Sequence, residues 1–327
     1  MLISFEKNFS GQSDSVNQLN TLFMSKQLAD LKLFFEKFTS TEELVGWMKH
    51  RPKFKPEIKD IQGNNDIVVV IVTPYFESAL TKRCILEIFN GLRIILVGGE
   101  GPGNLYFNAA HYFNEGVAYA LKYDPKWIVI SSDDMVPIDN VSVLYESLKS
   151  LDNEKYDAVF TEPSKYHSIP NQLSKANFLR KTLFSLLCDR RFQLTIERKF
   201  NLNYFPVPQI GIIPFFYNRG FFYNSIASFG IFSTNFVREM KGVPFDETYP
   251  IGGWDDDISI QLSYEKRSCT MIHYRINELR GTSLGNDATR KLRDLVGLIY
   301  LNVKWSQKIF EDSQKLPPKP FFYDLMI

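Results

Sequence analysis

The sequence predicts an α/β protein built on a doubly wound, mixed but mainly parallel sheet flanked by helices, and three observations carry that expectation. Residues 67–72 read Ile-Val-Val-Val-Ile-Val, an unbroken β-branched run of the kind found in strands buried on both faces. From Asp66 onward, strand-like runs alternate with segments of helical periodicity. The acidic pair in Ser131-Ser132-Asp133-Asp134 directly follows the apolar run Trp127-Ile128-Val129-Ile130, and open α/β sheets bind their ligands at the carboxyl ends of such strands.

Each element has its own justification. Leu28, Leu31, Phe35 and Phe38 recur at helical spacing, and Ser40 with Glu43 forms a capping box before a short helix carrying Leu44, Val45 and Trp47. Residues 1–65 therefore read as an N-terminal helical extension, with 51–65 a connector into the sheet. Residues 77–89 read as a helix stopped by Asn90-Gly91, and 93–97 as the second strand. Ala110, Phe113, Val117 and Leu121 mark one face of the next helix, which leads to the strand at 127–130. Segments 141–151 and 156–161 continue the alternation as helix and strand. Regularity is then lost, and residues 165–225 read as an irregular insertion mixing basic pairs (Arg180-Lys181, Arg190-Arg191) with aromatic runs. A strand at 228–233, an Asp-rich helix, a strand at 269–276 and a helix at 290–305 complete a domain spanning 66–305, followed by a tail at 306–327.

Composition narrows the function. The chain has 327 residues, ample for a large core, and its 38 Lys plus Arg nearly balance 37 Asp plus Glu for a net charge of +1. That balance gives no reason to expect nucleic acid as a partner. Three widely spaced cysteines, Cys84, Cys188 and Cys269, suit reduced thiols of a cytoplasmic protein. No uncharged apolar stretch approaches the roughly 20 residues needed to span a bilayer.

The chemistry is concentrated in acids. Residues 251–262 place Asp255, Asp256 and Asp257 behind Gly252-Gly253 at the start of a helix, and three adjacent carboxylates need a compensating field from helix amides, a metal ion or hydroxyl-rich ligands. A solvated first helical turn is the bland alternative. Asp133 and Asp134 form a second acidic site, for which turn capping is the corresponding alternative.

These pieces, in this order, resemble a GT-A fold glycosyltransferase, closest to the inverting family 2, over about residues 67–305. Thr73-Pro74-Tyr75 resembles the turn that contacts the nucleotide. Asn114-Glu-Gly resembles the family's Asn-x-Gly segment, and Ser131-Ser-Asp-Asp-Met-Val-Pro resembles its DxD region. Phe245-Asp-Glu with Gly252-Gly-Trp-Asp-Asp-Asp-Ile resembles the acceptor segment of β-1,4-galactosyltransferases, and Tyr300-Leu-x-x-Lys-Trp a helix common at the end of family 2 domains.

The resemblance implies a metal-dependent transfer of a monosaccharide, with inversion, from a nucleotide-sugar donor to a glycan, lipid-linked or other hydroxyl acceptor. It implies a Mn²⁺ or Mg²⁺ ion on Asp133 and Asp134, with Glu278 standing where a metal-binding His is usual. Donor contacts fall to Thr73, Pro74, Tyr75, Asn114, Asp133, Glu100 in place of the usual strand-end Asp, and Arg280 at the diphosphate. Acceptor contacts fall to Gly253, Trp254 and Asp256, with Trp254, where the family has Glu, stacking on a sugar. Asp255 is placed as general base and Asp256 as ligand of the acceptor hydroxyl; a one-residue shift exchanges these roles. The insertion at 165–225 would form an acceptor-side lid with peripheral membrane contact, or else pack its aromatics into the core. Two rivals stand beside this reading. One is a catalytically inactive nucleotide- or carbohydrate-binding protein on the same fold. The other is a nucleotidyltransferase, whose glycine-rich basic loop the segment Thr73-Pro-Tyr-Phe-Glu-Ser does not supply.

Overall fold

The computed structural model describes residues 13–99, 104–161, 229–265, 267–279 and 288–315. Three helices come first: α1 (Ser13–Met24), α2 (Leu28–Glu36) and α3 (Thr41–His50). Then follow β1 (Glu57–Ile61), β2 (Asn64–Thr73), α4 (Ala79–Arg83), β3 (Leu92–Gly98), α5 (Ala109–Ala120), β4 (Trp127–Ser132), β5 (Met135–Pro137), α6 (Val141–Lys149) and β6 (Ala158–Thr161). The chain continues with β7 (Phe229–Ser233), α7 (Thr234–Glu239), α8 (Trp254–Tyr264), β8 (Cys269–Ile272), β9 (Ile276–Glu278) and α9 (Ala288–Lys315).

Seven strands form a mixed, mostly parallel sheet in the order β1-β3-β2-β4-β7-β6-β8, with β5 and β9 making a small second sheet. The β2 strand lies parallel to both β3 and β4, while β7 runs antiparallel between β4 and β6. Because side chains alternate along a strand, β2 feeds two cores: Val68, Val70 and Val72 point to one face, Ile67, Val69 and Ile71 to the other. The first face is covered by α1–α3, α5, α7, α8 and α9; the second by the turn after α4 (Cys84–Ile88) and α6. Helix α5 lies so close to the sheet that a Cβ on Gly116 would come within 2.4 Å of Val70 Cγ1. Only glycine fits there.

The expected helical extension is part of this domain core. Phe23, Phe34 and Trp47 pack edge to face, with centroids 5.1 Å (Phe23–Trp47) and 4.8 Å (Phe34–Trp47) apart, in the same apolar cluster as Val68 and Val70. The connector expected over 51–65 is instead partly strand, since β1 pairs antiparallel with β3 and closes one edge of the sheet. Its Glu-Ile-Lys-Asp-Ile sequence has no clear period, so the pairing partner decides its state, and its charges suit an exposed edge.

Three boundaries also shift. The helix expected over 77–89 begins two residues later, at Ala79, where Ser78 accepts a hydrogen bond from Thr81 N, and after Arg83 it widens into a π-helical turn at Cys84–Ile88. The strand expected over 269–276 is two strands, because Tyr274 turns into the second core and β9 leaves the main sheet to pair with β5. The last helix runs past Trp305 to Lys315. Among the described residues no helix is long and apolar enough to cross a membrane.

Candidate functional site

The β2 strand is where the chain's winding reverses, with β3 added on one side and β4 on the other. The crevice beyond the carboxyl ends of β2 and β4 is therefore a topological switch point. Thr73 ends β2, and its hydroxyl donates to Asp133 Oδ2 at 2.7 Å, bridging the two strands directly. The same hydroxyl lies 2.9 Å from Thr81 Oγ1 and accepts from Tyr75 N at 3.2 Å. Asp134 takes its hydrogen bond from Ser132 Oγ at 2.5 Å. Both carboxylates are nearly covered, at 3% and 4% exposure. Buried carboxylates are costly unless hydrogen-bonded or paired with a cation, and here the hydroxyls of Thr73 and Ser132 supply hydrogen bonds.

The surrounding backbone is fixed from three sides. Arg83 Nη2 donates to the Met135 carbonyl at 2.5 Å, Cys84 Sγ to the Asp133 carbonyl at 3.3 Å, and Leu279 N to the Asp134 carbonyl at 2.7 Å. Burial, with the Asp133 charge beside it, pushes the Cys84 thiol up to about 12, so it is an inert packing group. The β5–β9 ladder sets Glu278 opposite Met135 and so brings its backbone to the acidic corner. Yet among the described residues no three His, Cys, Asp or Glu side chains come close enough to share an ion. The expected ligand set of Asp133, Asp134 and Glu278 is therefore not assembled as a three-residue group. Two hard oxygen donors remain, which suits Mg²⁺ or Mn²⁺ held otherwise by phosphate and water.

The donor-side residues divide by accessibility. Tyr75 is 50% exposed and Pro74 half-buried at the mouth of the crevice, while Thr73 is buried and acts through Asp133. Asn114 does not face this crevice. Its Oδ1 accepts from Phe245 N at 3.1 Å, and its Nδ2 donates to Phe245 O at 2.8 Å and Glu247 Oε1 at 3.0 Å. Both of its N–H donors are taken up in tying α5 to the loop before α8, and the side chain is buried, which argues against its assignment to the nucleotide. Glu100, Arg280 and the insertion at 165–225 lie outside the described residues.

The second acidic segment opens α8. Gly253 adopts φ 95°, and a Cβ on Gly297 would come within 1.9 Å of Gly252 O, so α9 presses directly against the Gly-Gly turn. Trp254 is only 6% exposed, with its ring 4.8 Å from Phe113 and 5.1 Å from Phe245. It is a core residue, and the expected sugar-stacking role is corrected: the first helical turn aims this ring at α5. Asp257 also points inward, accepting hydrogen bonds from Tyr249 Oη at 3.1 Å, Lys304 Nζ at 2.8 Å and Trp305 Nε1 at 2.5 Å. Lys304 reaches Asp246 as well, at 2.8 Å. Burial works against the Asp257 charge and raises its carboxyl, while Lys304 opposes that effect.

Asp255 and Asp256 are thus the acids of the triplet that stay half-buried. At Asp255 burial competes with the amides of the helix start. Burial is the larger effect and lifts its carboxyl above the ordinary range; the amides of Asp256, Asp255 and Gly253 pull it down, and the Asp294 charge on α9 adds to the rise. Asp294 is itself paired with Arg290 at 2.9 Å.

The two acidic segments are set in different cores, one on each face of the sheet. Trp254 and Ile258 of α8 belong to the first core, whereas Met135 and Cys84, which frame Asp133, belong to the second. A further charged cluster was not legible in the sequence. Glu247 accepts from Lys53 Nζ at 2.5 Å and from Asn114 at 3.0 Å, and lies 3.1 Å from His111 Nδ1. Burial alone would raise its carboxyl, but hydrogen bonds from His111, Lys53 and Asn114 hold it at about 2.

Fold and site together define an α/β protein with a paired-carboxylate switch point and, in the core on the other face of its sheet, an acidic helix start. Comparison of the chain with protein-family models, curated proteins and solved structures returned no match.

Proposed function

We propose that this protein is a metal-dependent inverting glycosyltransferase on a GT-A fold, moving a monosaccharide from a nucleotide-sugar donor to a hydroxyl acceptor. The observation that carries the reading is the buried pair Asp133 and Asp134 at the switch point, oriented by Thr73 and Ser132. These two residues would hold Mn²⁺ or Mg²⁺, which when bound neutralises the donor diphosphate and eases its departure. Thr73 fixes the direction of the Asp133 carboxylate, and the exposed ring of Tyr75 offers a face to the nucleotide base. Asp255 takes the proton of the acceptor hydroxyl, and Asp256 orients that hydroxyl. A raised pKa makes Asp255 the stronger base once ionised. One base without a covalent nucleophile implies a single displacement, so an α-linked donor gives a β-linked product. We place the protein in the cytoplasm.

The alternative of a non-catalytic nucleotide- or carbohydrate-binding protein draws support from the inward turn of Asn114 and Trp254. Thermal shifts with nucleoside diphosphates and nucleotide sugars, with and without Mn²⁺, followed by proton NMR of any product, separate the readings. The transfer reading expects metal-dependent stabilisation, about 2.7 kcal/mol at 100 times the dissociation constant, lost in Asp134→Ala. It also expects an inverted product. Stabilisation without turnover favours the binding protein, and undiminished metal-dependent binding in the double variant Asp133→Ala, Asp134→Ala removes the metal assignment.

A further inference from the structure

We infer that Arg51 is a positioning residue, a buried cation that clamps the N-terminal helices to both the loop after β3 and the turn entering the acidic helix. Arg51 follows the last turn of α3 and precedes Pro52, which disfavours helical backbone; at φ −60° and ψ 128° the chain turns extended there. The side chain enters the core at 4% exposure. Its Nη2 donates to Leu105 O at 2.7 Å, Nη1 to Phe107 O at 2.7 Å, and Nε to Asn20 Oδ1 at 3.0 Å. A longer contact of 3.5 Å runs from Nη1 to Pro250 O. The rings of Phe23 and Trp47 lie 5.5 and 6.0 Å from the guanidinium carbon. All of these partners are neutral.

A buried guanidinium with neutral partners is an expensive way to hold a core together. Apolar residues of similar size would do it at less cost. What the guanidinium adds is a rigid planar fork of donors, able to fix carbonyls from separate segments in one plane. Those segments matter for their positions. Leu105 and Phe107 lead into α5, which Asn108 caps and whose first turns carry His111 and Asn114. Asn108 Nδ2 and Asn114 Nδ2 bond the loop at Glu247 and Phe245, and Pro250 stands just before the Gly252-Gly253 turn. One side chain thereby sets the loop leaving β3 relative to Asp255 and Asp256. Burial accordingly lowers the Arg51 pKa to about 10, which leaves it charged at neutral pH.

Hydrogen exchange of the full chain tests this without assuming any activity. In Arg51→Met, amides in 104–108 and 249–257 are expected to exchange at least about tenfold faster, with β2 and β4 unchanged. Wild-type protection in both segments overturns the inference, as does equal loss throughout the sheet, which would mark a general stabiliser. If Arg51→Met does not fold, Arg51→Lys, which keeps the charge and loses the fork, is read by the same criteria. A turnover arm rests on the transfer reading above: kcat should fall about tenfold with donor KM within about twofold, as for a residue acting on catalytic geometry. An inactive wild type would remove the transfer reading while the exchange result still decides the role of Arg51.

Discussion

Asp255 combines two opposed demands. Its folded pKa is raised, so its favourable contribution to stability is complete below the unfolded pKa and is lost as pH rises through the folded value. Above that value the ionised side chain is a destabilising group held in place by the turn around it. Asp255→Asn should raise the melting temperature at pH 7 while, on the transfer reading, lowering kcat by about a hundredfold or more. Calorimetry and single-turnover kinetics on one preparation check both, and an unchanged kcat with an inactive Asp256→Asn would reverse the roles of the two acids. Glu247 behaves in the opposite sense. Its pKa is depressed from 4.5 to about 2, so its stabilisation is present above about 4.5 and lost as pH falls toward 2. That contribution is on the order of 3 kcal/mol. Urea denaturation between pH 6 and pH 3 should show a shallower fall in Glu247→Gln than in the wild type, and parallel curves would refute the assignment.

At the scale of elements, the packing of α8 against α9 decides which acids face outward. Asp257, Lys304 and Trp305 form the inward seam, with Tyr249, Tyr300 and Asp246 around it. Removing one partner leaves a buried charge uncompensated. Lys304→Met should cost about 3 kcal/mol, discounted from the upper range for a breached pair because Lys304 keeps some contact with solvent. The double variant with Asp257→Asn should recover part of that loss, and a double-mutant cycle in urea measures the coupling. The resemblance of Tyr300-Leu-x-x-Lys-Trp to a known helix marked this segment in the sequence, but its role appears only in contacts spanning 47 and 48 positions. Trp254 teaches the same lesson from the other side. A tryptophan beside three aspartates reads as an exposed platform, yet the helical turn directs its ring between Phe113 and Phe245.

For the whole molecule, the N-terminal helices are an integral layer of the first core. Arg293 Nη1 donates to Ser25 O at 2.9 Å, and Arg51 ties α1 and α3 to the loop after β3. A chain lacking residues 1–51 would expose the apolar surface that Phe34, Leu44 and Trp47 cover and leave the Leu105 and Phe107 carbonyls without Arg51. It should lose its cooperative thermal transition and bind a hydrophobic dye, whereas a sharp melt would show that the extension is dispensable. The sequence by itself determined the parallel strands 67–72, 93–97 and 127–130, the acidic end of the third, and the capped helix after Ser40. In each the signal is local: a period, a cap or a run of one residue type. Only the tertiary structure decided that β1 joins the sheet, that Asn114, Trp254 and Asp257 turn inward, and that Lys53, His111 and Glu247 meet. Those outcomes depend on partners dozens to nearly two hundred positions away or on the rotation of a helix against its neighbour, and no local pattern encodes either.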